Sequence, residues 1–179
     1  MKAYEGNEKY IFVSYAHKDS DTVLPVIEKM QNKRFRIWYD EGIEAGTEWP
    51  EYIAEHLEKA SAVVAFMSNN AANSINCRNE INFALFMNKE VLVVYLEETN
   101  LTSGMRLQIG TLQSLFKYRH QSEETFFEEL IAAKMLEECR SKFDEEAMRK
   151  EAEEKARAEL LTEMTARSEE HTSELQSLG

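Results

Sequence analysis

What most constrains this chain is a run of eight residues, "SAVVAFMS" (Ser61–Ser68), that is apolar from end to end between its flanking serines. A strand with one wet face alternates apolar and polar residues, so an unbroken run of this length describes a strand covered on both faces. Three similar runs accompany it: "KYIFVSY" (Lys9–Tyr15), "FRIWYD" (Phe35–Asp40) and "EVLVVYLE" (Glu90–Glu97). Segments of helical periodicity lie between them. "TVLPVIEKMQ" places Val23, Val26, Ile27 and Met30 on one face, with Pro25 near the first turn. "PEYIAEHLEKA" opens at Pro50 and aligns Ile53, Leu57 and Ala60, and "NCRNEINFALFMN" forms a third helix. "LQSLFKYRH" predicts a fifth strand, and "SEETFFEELIAAKMLEEC" a last helix with Phe126, Phe127, Leu130, Ile131 and Met135 inward. "NNAANS" and "ETNLTSGMRLQIGT" read as irregular. Strands alternating with helices imply an α/β fold, a parallel sheet with helices on both faces.

In such sheets ligands sit beyond the carboxyl ends of the strands, near the point where strand order reverses. That directs attention to three loops, "AHKDSD", "EGIEAGTEW" and "NNAANSINCRNE". The last places Glu80 three residues after Cys77 at a helix start. A first-turn carboxylate is favoured in its ionised form by the helix dipole, so Glu80 is expected to be anionic at neutral pH. On helix physics alone, an acid there is ordinarily a dipole-compatible surface residue.

Charge and motif content narrow the chemistry. The chain of 179 residues carries a formal charge of −12. Residues 1–139 hold 14 basic against 22 acidic side chains, and residues 140–179 hold 7 against 11, so both parts repel a polyanion and a nucleic-acid partner is not expected. The six glycines form neither GxGxxG nor a P-loop. A phospho-receiver needs an aspartate at the end of the third strand, where Phe66-Met67-Ser68 stands. His17, His56 and His120 have no partner at metal-ligand spacing, so no metal is expected. Cys77 and Cys139 stand in unrelated contexts, which suits reduced thiols and a cytoplasmic location; Cys77 itself reads first as a small buried hydrophobe. No stretch is long enough for a membrane span.

Taken together, "FVSYAHKDSD", "FRIWYDEGIEAGTEWPEYIAEHLEKASAVVAFMS" and "SINCRNEINFAL", in that order, resemble a Toll/interleukin-1 receptor (TIR) domain of the bacterial type, over roughly residues 9–135. The resemblance implies a flavodoxin-like three-layer sandwich with five parallel strands. It also implies one of two functions. Some TIR domains act only by homotypic assembly with other TIR domains. Others, when self-associated, cleave the N-glycosidic bond of NAD, releasing nicotinamide and leaving linear or cyclic ADP-ribose. In those enzymes the glutamate of a Cys-x-x-Glu block is essential, and Cys77 and Glu80 match it. Trp38 matches an aromatic beside the bound dinucleotide and is expected to stack on a flat ring, although its place in an apolar strand also reads as core; His17 or Lys18 matches a basic residue from the first loop. NAD is then a substrate, and no cofactor is implied.

The chemistry is consistent. Loss of neutral nicotinamide from a cationic pyridinium leaves an oxocarbenium-like sugar, which a nearby carboxylate stabilises while also holding the ribose diol. Tyr15 is placed to line the cleft. His17 shows no acid or base partner in the sequence and is not assigned a catalytic role. In the family the second loop mediates self-association, which singles out Ile43, Glu44, Ala45 and Gly46. Two positions depart from the pattern: Asn76 stands where an aromatic commonly precedes the cysteine, and Ala45-Gly46 replaces Pro-Gly.

The domain reading is an N-terminal extension (1–8), a TIR domain (9–139) and a charged helical extension (140–166). That helix is supported by i,i+4 pairs such as Glu145 with Arg149 and Glu153 with Arg157. It is expected to lead to a sensor or oligomerising domain. Residues 167–179 include "RSEEHTSELQS", which resembles the in-frame translation of a sequencing-adapter oligonucleotide; they and His171 are set aside.

Overall fold

The computed structural model describes residues 1–41, 49–142, 149, 153 and 155–158, with only the backbone of Trp49. The chain divides into two units, Met1–Ser141 and Lys142–Gly179. In the first, five strands form one parallel sheet: β1 (Ile11–Ser14), β2 (Ile37–Tyr39), β3 (Ala62–Met67), β4 (Glu90–Tyr95) and β5 (Ser114–Phe116), in the order β2-β1-β3-β4-β5. Between them lie α1 (Ser20–Asn32), α2 (Trp49–Lys59), α3 (Asn69–Asn73), α4 (Ile75–Phe86) and α5 (Ser103–Ile109); α6 (Glu123–Ile131) follows β5. The five-stranded, doubly covered parallel sheet is the one expected.

All six residues of β3 are buried, and they divide by parity. Ala62, Val64 and Phe66 join the core under α1 and α6, beside Val26, Ile27, Met30 and Phe126. Val63, Ala65 and Met67 join the core under α2, α4 and α5, beside Leu57, Ile81 and Ile109. This is why the run has no polar residue: each side chain, up or down, meets a helix.

Several elements differ from expectation. α3 lies where a loop was read, because Ser68 accepts a hydrogen bond from the Ala71 N–H and Ala71 and Ala72 are buried. α5 likewise lies in the irregular stretch. Thr102 caps it, and it buries only Met105 and Ile109, too little apolar content to register as a periodic pattern. Pro25 sits well inside α1 rather than in its first turn; it is exposed, so the carbonyl that loses its partner is open to water. The last helix ends at Ile131, and a 3-10 segment, Lys134–Cys139, completes the stretch.

Residues 1–8 lie against β2 and α2. The Tyr4 N–H donates to the Ile37 carbonyl at 2.8 Å, and the Glu5 carboxylate meets Trp38, Tyr52 and His56 at 3.3 Å each. In the second unit Arg149, Glu153 and residues 155–158 are helical, with Arg149 paired to Glu153 at 3.1 Å. The rest of the charged helix and residues 167–179 lie outside the described residues. Among the described residues no helix is long and apolar enough to cross a membrane, and no cluster of His, Cys, Asp or Glu forms a metal site.

Candidate active site

The sheet order places the switch point between β1 and β3: the chain leaves β1 outward to β2, then crosses back to β3. Among the described residues the buried polar side chains are Ser14, Asp40 and Ser68, and each stands at or just past the carboxyl end of β1, β2 or β3. Burying a polar group is unfavourable unless it finds a partner. Each has one here: Ser68 bonds Asp19, Ser14 bonds Glu80, and Asp40 meets His17 and lines a cleft of about 490 Å³ above the switch point. The loop after β1, the end of β2, and α3 with the start of α4 form its walls.

Glu80 lines this cleft. α4 begins at Ile75, where the Ser74 hydroxyl accepts the Cys77 N–H, so Glu80 stands in the second turn, not the first. The dipole argument for an ionised carboxylate therefore loses its force, because the effect falls off beyond the first turn. The residue is half-buried, with its carboxyl against β1, where the Ser14 hydroxyl donates to it at 2.5 Å. Burial pushes the carboxyl up to about 7; the Ser14 hydrogen bond opposes the shift and the Asp40 charge adds to it. At neutral pH Glu80 is balanced between its acid and anion instead of being fully anionic. Ser14→Ala is expected to move its titration upward, since the hydrogen bond that favours the anion is lost. Carboxyl-detected NMR titration reads this directly, and an unchanged midpoint contradicts it.

Tyr15, His17 and Lys18 also line the cleft. The Tyr15 hydroxyl donates to the Asp40 carbonyl at 2.9 Å, fixing the end of β2 against the loop after β1. The Asp40 carboxylate meets His17 Nε2 at 3.0 Å. Cys77 forms part of the wall but is buried, and burial raises its thiol to about 11, so it is a protonated thiol and not a nucleophile.

Trp38 is elsewhere. Its side chain points to the α2 face of the sheet, packed against Phe12 with ring centres 5.0 Å apart and against His56 at 4.5 Å. It is 1% exposed and belongs to the core, so the expectation that it stacks on a substrate ring is corrected. The physical reason is depth: Trp38 points to the same side of the sheet as Asp40 but two residues below it, where Phe12 and His56 already cover its ring faces. Ile43, Glu44, Ala45 and Gly46 lie outside the described residues.

Sequence reasoning missed Ser14 and Asp40 as site residues. Their signal was a lone polar residue closing an apolar strand, "IFVS" and "IWYD". It also passed over the amides of Asn69, Asn70, Asn73 and Asn76, which line the cleft. Beside the cleft, an apolar groove of about 200 Å³ runs between α2 and α4, lined by Ile53, Leu57 and Phe83 and sharing Asn76 and Glu80 with it.

The sequence profile of the TIR domain family matches residues 11–131. The chain belongs to the TIR domain family. Among solved structures similar to this TIR domain, the RPS4 and RRS1 TIR domain heterodimer has 15% identity, covers 69% of this chain and 94% of that one, and gives a TM-score of 0.53. The TIR domain of the Toll-related receptor TRR-2 from Hydra magnipapillata has 15% identity over 68% and 94% of the two chains, with a TM-score of 0.49. The CMP N-glycosidase BcmB of Clostridium botulinum has 14% identity over 69% and 99%, with a TM-score of 0.46. At these identities the likeness concerns the fold alone. No curated protein matches the sequence.

Proposed function

We propose that this TIR domain cleaves the bond between nicotinamide and ribose in NAD, with Glu80 as the group that stabilises the sugar cation. The observation that carries the reading is the placement of the Glu80 carboxyl. It lies in the cleft at the switch point, tied to Ser14 at the end of β1 and close enough to Asp40 to feel its charge.

The electron pair of the C1′–N bond leaves with the pyridine nitrogen, so nicotinamide departs neutral and needs no proton. Positive charge moves onto the ribose, and the Glu80 anion meets it in a cleft that screens it less than water does. The same carboxylate accepts hydrogen bonds from the ribose hydroxyls. The asparagine amides and Lys18 offer donors to the diphosphate. Asn76 supplies an amide beside Glu80 where the family commonly has a ring. Residues 43–46 are proposed as the self-association surface through which clustering raises activity. The reading implies action on the cytoplasmic NAD pool.

Only the Glu80 anion serves this step, which fixes the direction of the pH dependence. With the carboxyl raised to about 7, kcat/KM for nicotinamide release by the full chain is expected to fall as pH drops through that value and to level off above it. A bound pyridinium favours the anion, so the kcat profile is expected to turn at lower pH. Clustered protein that self-associates yet releases no nicotinamide at any pH contradicts the proposal and supports a non-catalytic adaptor acting by TIR–TIR assembly.

A further inference from the structure

His17 has no acid or base partner in the sequence, but the fold gives it one. Its Nε2 lies 3.0 Å from an oxygen of Asp40, which is buried at the end of β2. A carboxylate only accepts, so the proton of that contact sits on Nε2 and points at Asp40. In the neutral ring the lone pair is then on Nδ1. The arrangement is fixed from three sides. The Tyr15 ring packs on the imidazole with centres 5.6 Å apart, and the Tyr15 hydroxyl anchors the Asp40 backbone. The Ser20 hydroxyl binds the His17 carbonyl at 2.5 Å. Half of the His17 side chain remains exposed, and it lines the same cleft as Glu80.

We infer that His17 is the general base that takes the proton from the attacking water, and that Asp40 is the residue that positions it. The inference rests on the NAD-cleaving reading. Glu80 and His17 then divide the reaction. Glu80 stabilises the cation as the C1′–N bond breaks. Water then attacks C1′: its oxygen forms the new C–O bond, and one of its protons passes to His17 Nδ1 and later to solvent. The balance is NAD and water giving ADP-ribose, nicotinamide and a proton, with no oxidant or reductant. Asp40 stabilises the imidazolium that forms, as a carboxylate does behind a catalytic histidine. The other ionisable side chains that share a cavity lining with His17 are Tyr15, Lys18 and Glu80 in the cleft, and Tyr39 and Glu41 on its other side.

A partition experiment tests this. A substituted pyridine added with NAD attacks the sugar cation through its ring nitrogen and has no proton to lose, whereas water must shed one. The full chain, clustered on a surface, is given NAD and the pyridine, and exchanged dinucleotide and ADP-ribose are measured together. In His17→Ala the ratio of exchange to hydrolysis is expected to rise about tenfold or more, and added imidazole should restore hydrolysis. Asp40→Asn should shift the ratio in the same direction, by less. Exchange and hydrolysis falling together, or a raised KM with an unchanged ratio, would show that His17 merely binds the substrate or supports the loop, and would overturn the inference. Wild-type protein that yields neither product defeats the NAD-cleaving reading itself, and this inference with it.

Discussion

Replacing Glu80 with glutamine is expected to make the domain more stable at about pH 8 and to leave it nearly unchanged at about pH 4. The sign follows from the carboxyl's displacement. In the unfolded chain it titrates at its ordinary 4.5, and in the fold at about 7. Between those values the folded state holds a proton that the unfolded state has released, so stability falls as pH rises through the window and stays low above it. The displacement corresponds to about 3 kcal/mol at most, an upper bound because the residue is half-buried and solvent screens part of the effect. Glutamine has the shape of the protonated acid, keeps an oxygen for the Ser14 hydroxyl and carries no charge. The difference between the two proteins therefore isolates this one titration. For a unit of this size a full 3 kcal/mol raises Tm by about 6–12 °C. Thermal unfolding of both proteins across the pH range checks it, and a difference that does not depend on pH contradicts the burial argument. An acid kept at such a cost to the fold is the pattern of a functional site, where stability is given up for reactivity.

Trp38→Ala is expected to destabilise the same unit by about 3–5 kcal/mol, a large part of the 5–15 kcal/mol that holds a typical domain. The indole is sandwiched between Phe12 and His56, with Tyr52 edge-on at 6.0 Å. Its Nε1 donates to Glu5 at 3.3 Å, so the substitution opens a cavity and also removes one donor from the contact that holds residues 1–8. Trp38→Phe fills most of that space and is expected to cost much less, while leaving the KM for NAD unchanged. Urea unfolding of the two variants reads the first claim. A KM that rises severalfold in the phenylalanine variant would return Trp38 to the substrate.

The fold was largely legible because its signal is redundant. β3 is apolar on both faces, α1 and α2 carry clean stripes, and a parallel sheet is the architecture that satisfies all of them. Elements too short to carry a period were not legible. α3 has five residues and α5 seven, and each depends on a capping hydroxyl and two buried side chains. For the site, the first and third of the loops named from strand order converge, bringing Tyr15, His17, Lys18, Cys77 and Glu80 to one cleft. Three features needed the third dimension. The protonation balance of Glu80 depends on burial against β1, which no helix position reveals. The partner of His17 is 23 residues away, just past the end of β2. Trp38 looks the same in the sequence whether its ring faces a substrate or a histidine of α2.

Nicotinamide release from NAD, measured side by side for the wild-type chain and Glu80→Gln clustered on a surface at about pH 8, tests the central claim most directly. The account predicts release by the wild type and a loss of about 10²–10³-fold in the variant, with the variant at least as well folded. Equal release by the two proteins would contradict it, as would an absence of release from self-associated wild-type protein.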